Sequence, residues 1–201
     1  MLIYKNKKSM KYLIKLIVCL LITLNANCQV TTIVPISSYD YPNGAYLKDL
    51  DNELSYWEGT WEGTVNNKKI TIVFTKIIQN LKGDVNEHYY YRDEIIGKYK
   101  VVDLITNQVL YDNLSATNYN DYSILGLVVR NGDFTFRFQD VDSKCYNSVQ
   151  FHLQKITGHP NQVKYCYFRF LDYQNWDCTN YTNQGSIPMF LPQVDLTLIR
   201  Q

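Results

Sequence analysis

Trp57-Glu58-Gly59-Thr60-Trp61-Glu62-Gly63-Thr64-Val65 alternates residue by residue. Successive strand side chains point to opposite faces, so Trp57, Gly59, Trp61, Gly63 and Val65 share one face and Glu58, Thr60, Glu62 and Thr64 the other. One face is apolar and one is wet, which is the signature of a strand at a core boundary. Asn66-Asn67 then supplies a tight turn into a second β-rich run at 69–78.

The same pattern continues to the C-terminus. Strands are predicted at 87–102, 109–111, 123–129, 133–139, 148–156, 163–171 and 194–200. Asn131-Gly132 marks the clearest hairpin, because both residues accept a positive φ. Upstream, residues 29–46 contain Pro35, Pro42, Asn43 and Gly44 and read as an extended lead-in. Leu47, Leu50, Leu54 and Trp57 recur with helical spacing, so one or two helical turns are expected across 49–56, with Asp49 or Asp51 as N-cap. No parallel crossover is suggested. The fold class is therefore all-β: an antiparallel meander of eight or nine strands with one short N-terminal helix, a closed or partly open barrel over 47–201 that hides its edges.

The first 28 residues have a different logic. Lys5, Lys7, Lys8 and Lys11 precede the apolar run 16–24, and small residues lead up to Cys28. That is a secretory signal, too short to span a membrane that needs about 20 apolar residues. The mature chain is expected to begin at Gln29, in the periplasm or outside the cell. Met10 offers an alternative start, and acylation of Cys28 is the rival to cleavage after it. Asn25 and Asn27 stand where a lipoprotein site favours Leu and a small residue, so cleavage is the reading adopted.

Five of the 20 basic residues (Lys5, Lys7, Lys8, Lys11, Lys15) lie before Cys28 and all 19 acidic residues after it, which leaves 15 against 19 and a net charge of −4. A mildly acidic surface without a basic run argues against nucleic acid and anionic membranes as partners. Three cysteines follow Cys28. The alternation in Lys164-Tyr165-Cys166-Tyr167-Phe168-Arg169-Phe170 puts Cys166 with Phe168 and Phe170 on the inward face, as a buried reduced thiol. Cys145 and Cys178, in polar turn-rich surroundings, are the expected disulfide pair.

Gly59-Thr60-Trp61 after a short helical turn resembles the Gly-x-Trp opening of the lipocalin and fatty-acid-binding (calycin) barrels. That resemblance implies that Trp61 closes one barrel end, with Arg200 of the last strand packed across its indole. A longer resemblance runs through 44–49, 59–64, 96–99, 108–111, 145–147 and 183–192. Those stretches are similar to a family of small exported proteins of Gram-negative bacteria known only as a domain of unknown function. It implies an extracytoplasmic protein with one whole-length domain, and no activity.

Catalytic and metal motifs are missing. Glu58 and Glu62 share a face but stand about 13 Å apart along the strand, wider than the roughly 5 to 9.5 Å of glycosidase carboxylate pairs. His88, His152 and His159 lack metal-ligand spacing and read as surface or packing residues. The segment 88–97 is different: alternation puts Tyr89, Tyr91 and Asp93 on one face and Tyr90, Arg92 and Glu94 on the other, so a charge points inward either way. Tyr89, Tyr91 and Asp93, with Trp176 and Phe190 from the aromatic-rich stretch 172–192, are the candidate ligand-binding residues. The expected function is a non-catalytic barrel without cofactor or metal, binding a small apolar or aromatic ligand inside. The alternative is a protein-interaction or inhibitor module that uses 172–192.

Overall fold

The computed structural model describes Tyr12, Lys15 and residues 31–130, 132–139, 148–171 and 188–201. The chain divides at Thr32. In the first unit Tyr12 and Lys15 are helical and exposed. The second, Ile33–Gln201, carries eleven strands among its described residues: β1 (Ile33–Pro35), β2 (Tyr46–Lys48), β3 (Gly59–Val65), β4 (Lys68–Gly83), β5 (Tyr89–Asp103), β6 (Val109–Asp112), β7 (Ile124–Arg130), β8 (Asp133–Gln139), β9 (Ser148–Ile156), β10 (His159–Phe170) and β11 (Leu196–Arg200). Among the described residues no helix is long and apolar enough to cross a membrane.

Eight of these strands close an antiparallel barrel in the order β3-β4-β5-β7-β8-β9-β10-β11, with β11 returning to β3 through Ile199↔Glu62 and Arg200↔Trp61. The turns follow their residues. Asn66 and Asn67 both take a positive φ, 49° and 58°, and join Val65 to Lys68 in a two-residue hairpin. Gly132 and Gly158 do the same service between β7 and β8 and between β9 and β10.

β5 closes the barrel in an unusual way. One edge pairs with β4 along its whole length, whereas the other is divided among three strands: β2 at Tyr91 and Arg92, β7 at Ile96 and Gly97, and β6 at Lys100 to Val102. The lead-in is thus strand rather than merely extended chain, since β1 pairs with β2, and β2 with β5, in parallel. The helix expected across 49–56 is a single 3-10 turn, Leu54–Tyr56, because Leu47 belongs to β2 and Leu50 stays exposed.

The interior is filled by rings. Trp57, Phe134, Phe136, Phe151 and Tyr165 follow one another at centroid distances of 4.3–5.5 Å, Phe74 stacks on Phe136 at 4.7 Å, and all are buried. Such contacts add to the large apolar area that each aromatic side chain removes from water. Glycines on β5 and β7 make the room: a Cβ on Gly97 would sit 2.8 Å from the Phe74 ring, and one on Gly126 2.5 Å from that of Phe134. Gly126→Ala is accordingly expected to cost about 1–3 kcal/mol by overpacking, read as a lower thermal midpoint with an unchanged β-sheet circular dichroism spectrum.

Candidate functional site

β4 and β5 outrun their neighbours: they pair as far as Gly83↔Tyr89, while β3 meets β4 only up to Gly59↔Phe74. Tyr89, Tyr91 and Asp93 lie on this projecting arm. The lead-in is laced to it, with the Gly44 amide donating to the Tyr89 carbonyl at 2.8 Å, the Tyr91 amide to the Ala45 carbonyl at 2.8 Å, and the Tyr89 amide to Asn43 Oδ1 at 2.8 Å. Tyr89 and Tyr91 meet edge to face at 6.0 Å.

Asp93 is 3% exposed and both of its carboxylate oxygens are hydrogen-bonded. Oδ1 accepts the Tyr46 hydroxyl at 2.6 Å and the Gln79 amide at 2.9 Å, and Oδ2 accepts the Asp49 amide at 3.0 Å. Gln79 sits at φ 54° in a β-bulge opposite Asp93, so the carboxylate takes up an amide that the bulge frees. Asp49 continues the network by accepting the amides of Glu53 and Leu54 and the Lys76 ammonium at 2.8 Å. Burial alone would raise the Asp93 carboxyl, but Tyr46, the two amides and nearby Lys76 hold it below the ordinary carboxylate range. The Tyr46 phenol is pushed up to about 12, first by burial and then by its bond to Asp93. Glu94, on the outer face, pairs with Lys82 at 2.8 Å, and Lys82 also meets the Tyr119 hydroxyl at 2.5 Å. The inward charge is thus a structural pin, both of its oxygens bonded to the surrounding fold.

Phe190 lies elsewhere. It packs on Tyr111 at 6.0 Å, which stacks on Tyr99 at 4.3 Å. Tyr111 pairs with Val101, eight residues along β5 from Asp93, or about 26 Å at strand rise. The structure therefore does not bring Tyr89, Tyr91 and Asp93 together with Phe190. Leu191 is buried in the core and the Tyr165 hydroxyl donates to the Pro192 carbonyl at 2.8 Å, so the end of the 172–192 stretch plugs the barrel. Trp176, Cys145, Cys178 and Cys28 lie outside the described residues.

At the other end, Trp61 is fully buried and its indole N–H donates to the Trp57 carbonyl at 2.9 Å. The Arg200 guanidinium lies over the Trp61 ring at 4.5 Å and over Tyr56 at 5.2 Å, and donates to the carbonyls of Tyr56 and Glu58. Glu62 binds Lys69 at 2.9 Å and Thr71 at 2.8 Å, while Glu58 accepts the Lys76 amide at 3.3 Å. Both are outer-face residues already engaged. Among the described residues no group of three or more His, Cys, Asp or Glu converges in a metal-binding arrangement.

Sequence reading missed a groove on the outer face of β8–β10. It is a shallow depression of about 700 Å³, largely open to solvent, between Asp133, Gln150, His152, Gln154, Tyr167, Phe168 and Arg169. Asp133 accepts from His152 Nδ1 at 3.0 Å and from Gln154 Nε2 at 3.0 Å. Gln150 lies 3.4 Å from His152 Nε2 and accepts Arg169 at 2.6 Å. These bonds link five side chains from three strands and fix their orientation.

A bulge builds the rim of this groove and corrects the placement of Cys166. Between Cys166↔His152 and Arg169↔Gln150, β10 has one residue more than β9, and Tyr167 takes φ 54° there. The extra residue reverses the alternation. Val163 and Tyr165 point into the core upstream, Phe168 packs against it downstream, and Cys166 faces outward beside its register partner His152. The thiol is still 1% exposed and free. Burial, with Asp195 next, pushes it up to about 11, so it stays protonated beside His152 and is no activated nucleophile. Alternation of Gln150, His152 and Gln154 against Val149, Phe151 and Leu153 was a legible signal for a polar outer face; the approach of Asp133 and Tyr167 was not.

No curated protein and no solved structure matches the chain. The model of a family of unknown function (DUF6705) matches residues 10–157, which takes in β1 through β9 with Asp133, Gln150, His152 and Gln154, and the chain belongs to that family.

Proposed function

We propose that this is an exported, non-catalytic β-barrel that recognises its partner on its outer face, not in its interior. The observation that carries this reading is the continuous packing of aromatic rings through the barrel. Hollows bordered by described residues at its ends measure about 40 Å³, beside Arg92, Asp93 and Leu127, and about 190 Å³, beside Val65 and Phe190. Ligand pockets occupy roughly 300–1,000 Å³. The outer groove, about 700 Å³ and largely open to solvent, carries pre-oriented polar groups. Leu191 and Pro192 are buried, with Met189 and Phe190 packed partly buried against the core, which supports a structural plug over a contact loop.

Export rests on residues 1–28. Protein recovered from its own host is expected to have an intact mass starting at Gln29, whereas a lipid-bearing mass starting at Cys28 would move the processing site. Under native mass spectrometry it should carry no apolar small molecule, and anilinonaphthalene sulfonate should show no saturable binding to the folded barrel. A stoichiometric apolar ligand carried through purification would overturn the outer-face reading.

A further inference from the structure

Resting on that outer-face reading, we infer that the groove formed by Asp133, Gln150, His152, Gln154, Tyr167 and Arg169 binds carbohydrate, with Tyr167 as the stacking platform. Three other ligand classes meet obstacles there. Phosphate or nucleic acid needs clustered cations, yet Arg169 is the only lysine or arginine among the described residues lining the groove, and it is already bonded to Gln150. Among the described residues a divalent cation finds one carboxylate there, and that carboxylate is bonded to His152 and Gln154. A peptide adding itself as a strand needs an open, regular edge; β8 and β9 are paired on both sides there, and the edge of β10 past Tyr165, which no described strand pairs, is broken by the bulge at Tyr167.

Sugar hydroxyls both donate and accept, and the groove offers both functions in fixed directions. Gln154 and Gln150 retain one amide hydrogen each beyond the bonds described, the Gln154 carbonyl is an acceptor, and each Asp133 oxygen keeps a lone pair. A sugar ring also has an apolar C–H face, and Tyr167 supplies its counterpart. This ring is 63% exposed, it is braced edge-on against His152 at 5.3 Å, and its backbone is held at φ 54°, a conformation in which a bulky residue is strained. Strain kept at a bulge beside a polar constellation is the pattern of a functional site. Gln150, His152 and Gln154 recur along one face of β9, spanning about 13 Å. That length, with the groove volume, suits an oligosaccharide over a single sugar.

The test is affinity electrophoresis of the native protein in gels containing a soluble β-glucan, xylan, galactomannan, glycol chitin or solubilised peptidoglycan. At least one should retard it. Tyr167→Gly should abolish that retardation while keeping the fold, because glycine takes the left-handed conformation without strain. Tyr167→Phe should retain it, and Gln154→Ala should weaken it at least tenfold. Retardation by none of the five overturns the carbohydrate assignment, and retardation unchanged in Tyr167→Gly overturns the site. Neither result touches the outer-face reading, which falls only if an apolar ligand is found in the barrel.

Discussion

Asp93→Asn is expected to lower the unfolding free energy by about 3–5 kcal/mol, the range for breaking a buried, hydrogen-bonded charge. The carboxylate accepts from Tyr46, Asp49 and Gln79. Asparagine keeps one acceptor oxygen and turns an NH2 toward groups that are themselves donors. At least one buried donor is then orphaned, and the β4 bulge and the β2 lead-in lose their common anchor. For a domain of this size the midpoint should fall by about 10 °C. The pH dependence carries the sign. Asp93 titrates lower in the folded state than in the unfolded chain, so its contribution is fully present above the unfolded value of about 3.9 and is lost as pH falls through the folded one. The stability gap between wild type and Asp93→Asn should therefore narrow in acid. A gap that stays constant down to pH 2 would show that the charge is not what holds the network. Tyr46→Phe, which removes one donor and leaves the carboxylate, should cost about 1–2 kcal/mol and keep the acid dependence.

Asp93 also marks the point where reading the chain stops and reading the fold begins. Alternation along 88–97 requires an inward charge, and the structure has one. What the charge does depends on a bulge at Gln79 and a turn at Asp49, residues 14 and 44 positions away. Neither bulge is signalled by glycine, because Gln79 and Tyr167 take the left-handed conformation with ordinary side chains. That is why Cys166 is separated from Phe168 and Phe170: one extra residue changes the parity of everything after it. By contrast, 133–139 and 148–156 are strands with the predicted bounds, since unbroken alternation between turn residues leaves no freedom in register. β1 and β2 have three residues each and carry no period of their own. They exist because β5 offers β2 an edge and β2 in turn offers one to β1. The groove is intermediate: Gln150, His152 and Gln154 announce a wet face, but its chemistry arises from side chains brought in by neighbouring strands, which one strand's sequence does not contain.

Trp61→Ala is the second change expected to have a large effect, about 3–5 kcal/mol for truncating a fully buried tryptophan. The loss has two parts that separate experimentally. One is core volume, since Trp61 sits with Tyr56 and Leu54 at the closing end of the barrel. The other is the seam itself, because Arg200 lies across the indole on the strand that closes the sheet, and its guanidinium also reaches the Tyr56 and Glu58 carbonyls. Arg200→Lys tests the second part alone. An ammonium keeps the charge but cannot lie flat on the ring while bonding two carbonyls, so a cost of about 1–2 kcal/mol is expected. If stacking links the two residues, Trp61→Phe and Arg200→Lys should be non-additive in a double-mutant cycle by about 0.5–1.5 kcal/mol. Strict additivity would mean that Arg200 holds the seam through the carbonyls and that its position over Trp61 contributes no coupling.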